Sequence, residues 1–148
     1  MPSPYVAVVG AGGNVAADVL ADAEAVGAEL ARRGAVVVCG GLGGVMEAAC
    51  RGALAEGGVT LGLLPGAQRA AANPWVSVAV ATGLGELRNG LVVRSADAVI
   101  AIAGGYGTLS EIALALKAGM RVVGLRSWEI RGVVAADDAA AAVALALA

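Results

Sequence analysis

The sequence contains no histidine and only one lysine, and these absences exclude several kinds of active site. Without histidine, there is no Ser-His or Cys-His pair for nucleophilic catalysis. The two cysteines, Cys39 and Cys50, do not form a Cys-x-x-Cys pair, and no histidine is available to complete a zinc site. We therefore expect no metal site, and we interpret both cysteines as small buried hydrophobic residues.

Aromatic residues are also scarce, at 3% of the 148 residues, although 59% of the chain is hydrophobic. The core must therefore consist of alanine, valine, leucine and isoleucine. Runs of such residues fit strands that are buried on both faces of a parallel sheet. A chain of this length is typical of one domain and can bury a full core without disulfides or metal. We predict a single domain over residues 1–148.

The charge pattern has no basic stripe, since the net charge is −2 and Arg32 and Arg33 form the only basic cluster. This pattern argues against a nucleic-acid partner. No uninterrupted apolar run reaches the ~18 residues of a membrane span. The first residues also lack the basic region and cleavage pattern of a signal peptide. We expect a cytoplasmic protein that has no membrane partner.

Apolar runs alternate with helix-like segments along the chain, and glycines separate them. Strands are predicted at residues 5–9, 35–39, 59–64, 76–80, 98–102 and 122–125. Helices are predicted at residues 14–33, 45–56, 84–95, 108–118 and about 134–147. This alternation predicts an α/β fold, namely a Rossmann-like doubly wound parallel sheet with helices on both faces and a central first strand. Residues 65–74 form the longest irregular stretch and are interpreted as a loop or lid over a site.

Glycines cluster after three predicted strands, at the sheet edge where such folds bind their ligands. Glycine lets the backbone approach a ligand closely, and the start of the following helix attracts anions. Three converging glycine loops predict a phosphate site, and the alternative is that they are tight turns that bind nothing. We call residues 10–13, 40–44 and 104–107 the first, second and third glycine loops. The candidate ligand-binding glycines are Gly10, Gly12, Gly40, Gly41, Gly43, Gly44, Gly104, Gly105 and Gly107.

Two common phosphate-binding motifs are absent. A Walker A loop requires Gly-Lys-Ser/Thr, whereas the only lysine, Lys117, lies inside a predicted helix. The dinucleotide fingerprint requires Gly-x-Gly-x-x-Gly/Ala, but the run that starts at Gly10 has Val15 at its last position. The second strand ends in Cys39 and not in the acidic residue that would bind a ribose. NAD binding is therefore not expected.

The run Gly104-Gly105-Tyr106-Gly107-Thr108-Leu109-Ser110-Glu111 allows two interpretations. Locally, Thr108-x-x-Glu111 has the pattern of a helix capping box, with Thr108 as the N-cap and Glu111 satisfying a backbone N–H. Alternatively, Glu111 stands beside a phosphate loop as a functional carboxylate, with Thr108 as part of that loop. The local pattern does not decide between the two.

This run resembles the Gly-Gly-x-Gly-Thr-x-x-Glu signature of the LOG-like proteins, once widely labelled lysine decarboxylases. Arg88 and Asn89 stand where that family carries Arg-Lys. Residues 40–46, 62–65 and 95–101 are similar to other blocks of the family, so that the resemblance covers residues 5 to 125. Two departures are Ala103, where many members have proline, and Asn89 in place of lysine. With the short chain, they make this sequence similar to the branch that includes molybdenum-cofactor carriers.

The resemblance implies two alternative functions. LOG enzymes hydrolyse the N-glycosidic bond of nucleoside 5′-monophosphates without a cofactor, and this activity would make Arg88 and Glu111 catalytic. The carrier branch binds the molybdenum cofactor, a pterin phosphate, without turnover. In both cases the partner is a phosphate-bearing small molecule, Arg88 and Asn89 lie beside its phosphate, and Tyr106 or Trp75 can stack on its ring. A regulatory scaffold or sensor is a third possibility.

The apolar helices, and the resemblance, predict a homodimer or homotetramer. The helices are rich in alanine, leucine and valine, and the chain has too few charges to cover every helix face. Trp128 is expected to lie at such a subunit contact.

Overall fold

The computed structural model describes residues 2–148 and contains a seven-stranded sheet in which every pairing is parallel. The strand order is β4-β3-β2-β1-β5-β6-β7. The first strand is central, as predicted. The strands are β1 (Tyr5–Gly10), β2 (Val36–Cys39), β3 (Thr60–Leu64), β4 (Val78–Ala81), β5 (Ala98–Ile102), β6 (Arg121–Leu125) and β7 (Val133–Ala136).

Five α-helices cover the two faces of the sheet. They are α1 (Ala17–Arg32), α2 (Val45–Ala55), α3 (Arg88–Arg94), α4 (Tyr106–Lys117) and α5 (Ala139–Ala146). Helices α1, α2 and α5 pack on one face, and α3 and α4 pack on the other. Alternate residues of β1 serve the two faces, since Val6 and Val8 point to one core and Ala7 and Val9 to the other. The predicted doubly wound Rossmann-like fold with an aliphatic core is confirmed.

The contact between α1 and α2 depends on small residues. A Cβ added at Gly27 of α1 would overlap the carbonyl oxygen of Ala49, and one added at Gly52 of α2 would overlap that of Glu24. The two helix backbones therefore touch at both points, and this requires glycine. This close packing holds α1 against α2, the helix that follows the second glycine loop.

The main error of the sequence prediction lies in the last segment. A helix from about residue 134 was expected, but Val133–Ala136 is strand β7, which pairs with β6. The valines favour a strand, and the alanines that follow them hid the boundary. Helix α5 begins only after Asp138, whose Oδ1 accepts a hydrogen bond from the N–H of Ala141 at 2.8 Å. Helix α1 also begins three residues later than predicted, at Ala17.

Candidate functional site

The three glycine loops lie side by side at the carboxyl edge of the sheet, because β2, β1 and β5 are neighbours. The first and second loops are joined directly, since the N–H of Val45 donates to the carbonyl of Ala11 at 2.9 Å. A Cβ added at Gly12 would lie 2.9 Å from Cε of Met46, and one added at Gly43 would lie 3.1 Å from the carbonyl oxygen of Gly12. The loops predicted to converge therefore do so.

Several of these glycines are required for packing. A Cβ added at Gly10 would lie 2.7 Å from Cγ1 of Val45 and 2.8 Å from the carbonyl oxygen of Ile102. One added at Gly41 would lie 2.9 Å from Cδ2 of Leu64. Gly10 and Gly41 thus hold the loops against the sheet, whether or not they also contact a ligand.

The third glycine loop leads into α4 in a way that excludes the capping box. Helix α4 begins at Tyr106, its N-cap is Gly105, and no side chain caps it. Thr108 therefore lies inside the first turn, where its buried side chain packs against Gly104, and a Cβ at Gly104 would overlap it. Glu111 lies in the second turn, too far along the helix to satisfy an N-cap N–H. The capping-box interpretation is wrong, because the N-cap is Gly105 and the helix starts three residues earlier than a capping box with Thr108 as N-cap implies.

The start of α4 leaves backbone donors free. Within residues 2–148, the N–H groups of Tyr106, Gly107 and Thr108 have no hydrogen-bond acceptor. Gly105 and Gly107 have nothing within 4 Å of an added Cβ, so the loop surface is open. Unpaired N–H groups at the positive end of a helix dipole form a binding site for anions.

Arg88, the first residue of α3, is buried beside the second glycine loop, with only 9% of its surface exposed. Its guanidinium lies against Gly40, where an added Cβ would overlap Nη1. Its buried Nε has no hydrogen-bond partner within the described residues. An unpaired buried donor on a charged group is costly. This arginine therefore has an unused capacity to bind an anion.

Glu111 is buried on α4, with 7% of its surface exposed. Burial raises the pKa of its carboxyl to about 7, and the positive charge of Arg88 opposes this rise. None of the ion pairs between described residues joins Glu111 to Arg88, so the two groups interact at a distance. A carboxyl whose pKa lies in this range can change its protonation state near neutral pH, and it donates a hydrogen bond when protonated and accepts one when ionised.

The loop after β6 braces the third glycine loop. Ser127 Oγ donates to the carbonyl of Ala103 at 2.8 Å, and Trp128 Nε1 donates to that of Gly105 at 3.2 Å. The Trp128 ring also stacks on Tyr106, with ring centroids 6.2 Å apart. The sequence predicted a subunit contact for Trp128, and it did not predict these contacts within one chain. The adjacency of β6 to β5 is the signal that could have revealed it.

A sequence profile of the SLOG cluster4 family matches residues 3–146. The chain belongs to this family. An uncharacterized protein of Archaeoglobus fulgidus is 46% identical over 101 residues, which cover 68% of this chain and 66% of that protein, just under two thirds of its length. The LOG-like resemblance is thereby confirmed.

Two solved structures are similar to this SLOG cluster4 chain over nearly its whole length. The molybdenum cofactor binding protein of Rippkaea orientalis superposes with a TM-score of 0.92 at 35% identity, covering 98% of this chain and 96% of that one. The molybdenum cofactor carrier protein of Chlamydomonas reinhardtii superposes with a TM-score of 0.87 at 33% identity, covering 97% and 95%.

Ala103, one of the departures from the LOG signature, has an unusual backbone conformation in this SLOG cluster4 protein. Its φ is 45°, in the left-handed region. Proline cannot adopt that angle because its ring holds φ near −65°. The third glycine loop therefore follows a path here that the proline of many LOG-like proteins does not allow.

Beyond the loops, α3 and α4 enclose a groove with a cavity of about 550 Å³. Asn89, Tyr106 and Gly107 line it together with Leu87 and Leu114. Trp75, by contrast, belongs to the loop before β4, where its carbonyl accepts a hydrogen bond from Thr60 Oγ1 at 2.6 Å.

Among residues 2–148, no three His, Cys, Asp or Glu side chains are grouped so as to hold a metal ion. Within the same part of the chain, no helix is both long enough and apolar enough to cross a membrane.

Proposed function

We propose that this protein binds a phosphate-bearing pterin, the molybdenum cofactor, as a carrier or binding protein. The observation that carries the proposal is Arg88, a buried cation whose Nε has no partner. It lies at the same sheet edge as the free N–H groups at the start of α4. The similarity to two proteins described as binding or carrying this cofactor supports the choice of ligand.

The phosphate group matches the donors that the site offers. The N–H groups of Tyr106, Gly107 and Thr108 supply dipoles, and Arg88 supplies a permanent charge. Asn89, on the neighbouring helix start, supplies an amide that can donate without adding charge. This set suits one phosphate monoester.

The planar pterin ring matches the side chains next to these donors. Tyr106 is 83% exposed, and Trp128 stacks on it. An exposed aromatic ring held in this way is a stacking surface for a heterocycle. Glu111, whose carboxyl has a pKa raised to about 7, can pair with a donor on a ring edge when ionised or with an acceptor when protonated.

Binding is tested by adding molybdenum cofactor to the purified protein and measuring the retained pterin by fluorescence after oxidation. Arg88→Ala should weaken retention by about 10- to 150-fold, because hydrogen bonds to charged groups are worth ~1.5–3 kcal/mol. The matched control is Arg94→Ala, since Arg94 lies on the same helix but is exposed. Equal retention by the wild type and both variants would contradict the proposal.

Hydrolysis of nucleoside 5′-monophosphates is a second candidate, and the burial of Glu111 specifically favours it. A carboxyl with a pKa of about 7 can exchange a proton near neutral pH. It can also stabilise the oxocarbenium-like charge that develops when an N-glycoside breaks. Arginine is a poor general acid, so Arg88 would position the phosphate.

This second candidate is tested by incubating the protein with AMP and measuring free adenine. If the protein hydrolyses AMP, Glu111→Gln should lower the rate by roughly 10²-fold or more, while AMP affinity stays nearly unchanged. If the wild type releases no adenine, hydrolysis is contradicted and only the binding function remains.

We also propose that the protein forms a homodimer or homotetramer through α3 and α4. Leu87 is 77% exposed, and Leu91 and Leu114 are each 41% exposed on the same side of the sheet. Exposed apolar clusters of this kind are typical of interfaces. Light scattering at micromolar concentration should give a multiple of the chain mass, and Leu87→Glu should lower it. A monomeric wild type would contradict this proposal.

A further inference from the structure

Two free cysteines lie in contact next to the proposed ligand site. The Sγ atoms of Cys39 and Cys50 are 3.5 Å apart, and both side chains are fully buried. Cys39 is the last residue of β2, and Cys50 lies in α2. Between them, the chain forms the second glycine loop and the first turn of α2.

The sulfur of Cys39 takes part in the conformation of that loop. It accepts a hydrogen bond from the N–H of Gly41 at 3.3 Å. The next residue after Cys39 is Gly40, against which the guanidinium of Arg88 packs. A change at this sulfur is therefore transmitted over one residue to the buried cation of the site.

We propose that Cys39 and Cys50 form a reversible intramolecular disulfide in the presence of low-molecular-weight disulfides, and that this bond weakens anion binding through the second glycine loop. The first part concerns thiol chemistry alone. The second part rests on the proposed function, since it assumes that Arg88 and the start of α4 bind an anion.

The chemistry is two successive thiol–disulfide exchanges. The Cys50 thiolate attacks one sulfur of oxidised glutathione, which releases one glutathione thiolate and leaves a mixed disulfide. Cys39, once deprotonated, attacks the Cys50 sulfur and releases the second glutathione. Two electrons pass from the cysteine pair to the oxidant, and the two protons end on the two glutathione thiols. The contact between the two sulfurs supports this order, because hydrogen bonding with Cys39 lowers the pKa of the Cys50 thiol.

Forming the bond moves the loop. A disulfide brings the sulfurs to about 2.05 Å, so they must approach by about 1.5 Å from their present separation. We expect Cys39 Sγ to withdraw from the N–H of Gly41 as it approaches Cys50, and Gly40 to shift relative to Arg88. Because both thiols are buried, the first exchange requires local opening and is expected to be slow. The second exchange is intramolecular and removes the glutathione again.

Mass spectrometry tests the disulfide in the intact protein. Reduced protein is incubated with graded ratios of oxidised to reduced glutathione, unfolded in acid and then alkylated. We expect the two thiols to be lost together, with no bound glutathione and no covalent dimer, and dithiothreitol should restore both. The controls are Cys39→Ala and Cys50→Ala, neither of which can form the internal bond. Wild-type protein that keeps both thiols, or that retains glutathione, would overturn the proposal without reference to the variants.

Hydrogen exchange and phosphate binding test the effect on the loop. In the oxidised protein, the amide of Gly41 should exchange faster, while amides of β6 should not change. Inorganic phosphate should bind about fivefold more weakly to the oxidised form, the effect of losing one hydrogen bond between the displaced site and the phosphate. Unchanged exchange at Gly41 would overturn the coupling. If reduced protein binds no phosphate, the proposed function fails, whereas the mass and exchange measurements still decide on the disulfide.

Discussion

The second and third glycine loops have similar compositions but opposite surroundings. In the second loop, a Cβ added at Gly40 or Gly44 would overlap Arg88 or the carbonyl of Ala11. In the third loop, Gly105 and Gly107 have nothing within 4 Å of an added Cβ. The second loop is therefore packed into the protein, whereas the third loop, apart from Gly104 against Thr108, faces open space at the start of a helix.

This difference separates two functions that glycine serves at the edge of a parallel sheet. The packed loop lets the backbone come close enough for Arg88 to be buried beside it, so its glycines act on the site through a neighbour. The open loop exposes unpaired N–H groups that can contact an anion directly. Glycine content alone therefore does not identify which loop touches the ligand.

The largest effect is expected from Gly44→Ala in the packed loop. Gly44 has a φ of 63°, and an added Cβ would overlap the backbone of the first glycine loop. Left-handed backbone costs ~1–2 kcal/mol for a residue other than glycine, and overpacking costs ~1–3 kcal/mol. We expect the free energy of unfolding in urea to fall by ~2–5 kcal/mol. A change below ~0.5 kcal/mol would mean that this loop is not packed as described.

A smaller and pH-dependent effect is expected from Glu111→Gln. Because the pKa of Glu111 is raised in the folded state, the folded protein binds more protons than the unfolded chain between about pH 4.3 and pH 7. Stability from this group therefore falls as the pH rises through that window. The variant lacks this loss, so it should gain stability relative to the wild type by up to roughly 3 kcal/mol between pH 4 and pH 8.

Urea unfolding at pH 4 and pH 8 checks this second prediction. The control is Glu86→Gln, which removes an exposed carboxyl close to the start of α3. A difference between Glu111→Gln and the wild type that is the same at both pH values would show that burial does not destabilise the charged carboxyl.

The smallest effect is expected from Gly107→Ala in the open loop. Gly107 is the second residue of α4, and an added Cβ meets no atom within 4 Å. Alanine favours the helix over glycine by ~0.5–1 kcal/mol. We expect thermal unfolding to shift upwards slightly, opposite in sign to Gly44→Ala. A clear loss of stability would mean that the third glycine loop is packed in the same way as the second.

Much of the fold follows from local patterns. The buried runs of β1 and β5 and the glycines after them identify a parallel sheet, and both strands lie within one residue of their predicted ends. Strand β7 was missed because Val133 and Val134 are followed by alanines that also suit a helix. Only pairing with β6 distinguishes the two states, and such pairing is a tertiary interaction.

The site was predictable in part. The signature around Gly104 and Glu111, and the resemblance that it carries, pointed to the residues that the structure describes at this edge. The burial of Arg88 against Gly40 and the contact of Trp128 with Tyr106 join residues far apart in the chain, and no local spacing encodes them. The capping-box pattern did not predict that α4 begins at Tyr106, nor that the loop after β6 contacts Ala103 and Gly105 just before it.

We propose that the buried Arg88 and the open start of α4 together form one anion site. The most direct test is an NMR titration of the protein with inorganic phosphate and with AMP, following backbone amides and the Arg88 Nε–H signal. We expect the amides of residues 105–108 and the Arg88 Nε–H to shift together, with a single affinity for each ligand. Shifts confined to other parts of the chain, or an Arg88 signal that does not respond while the amides do, would contradict it.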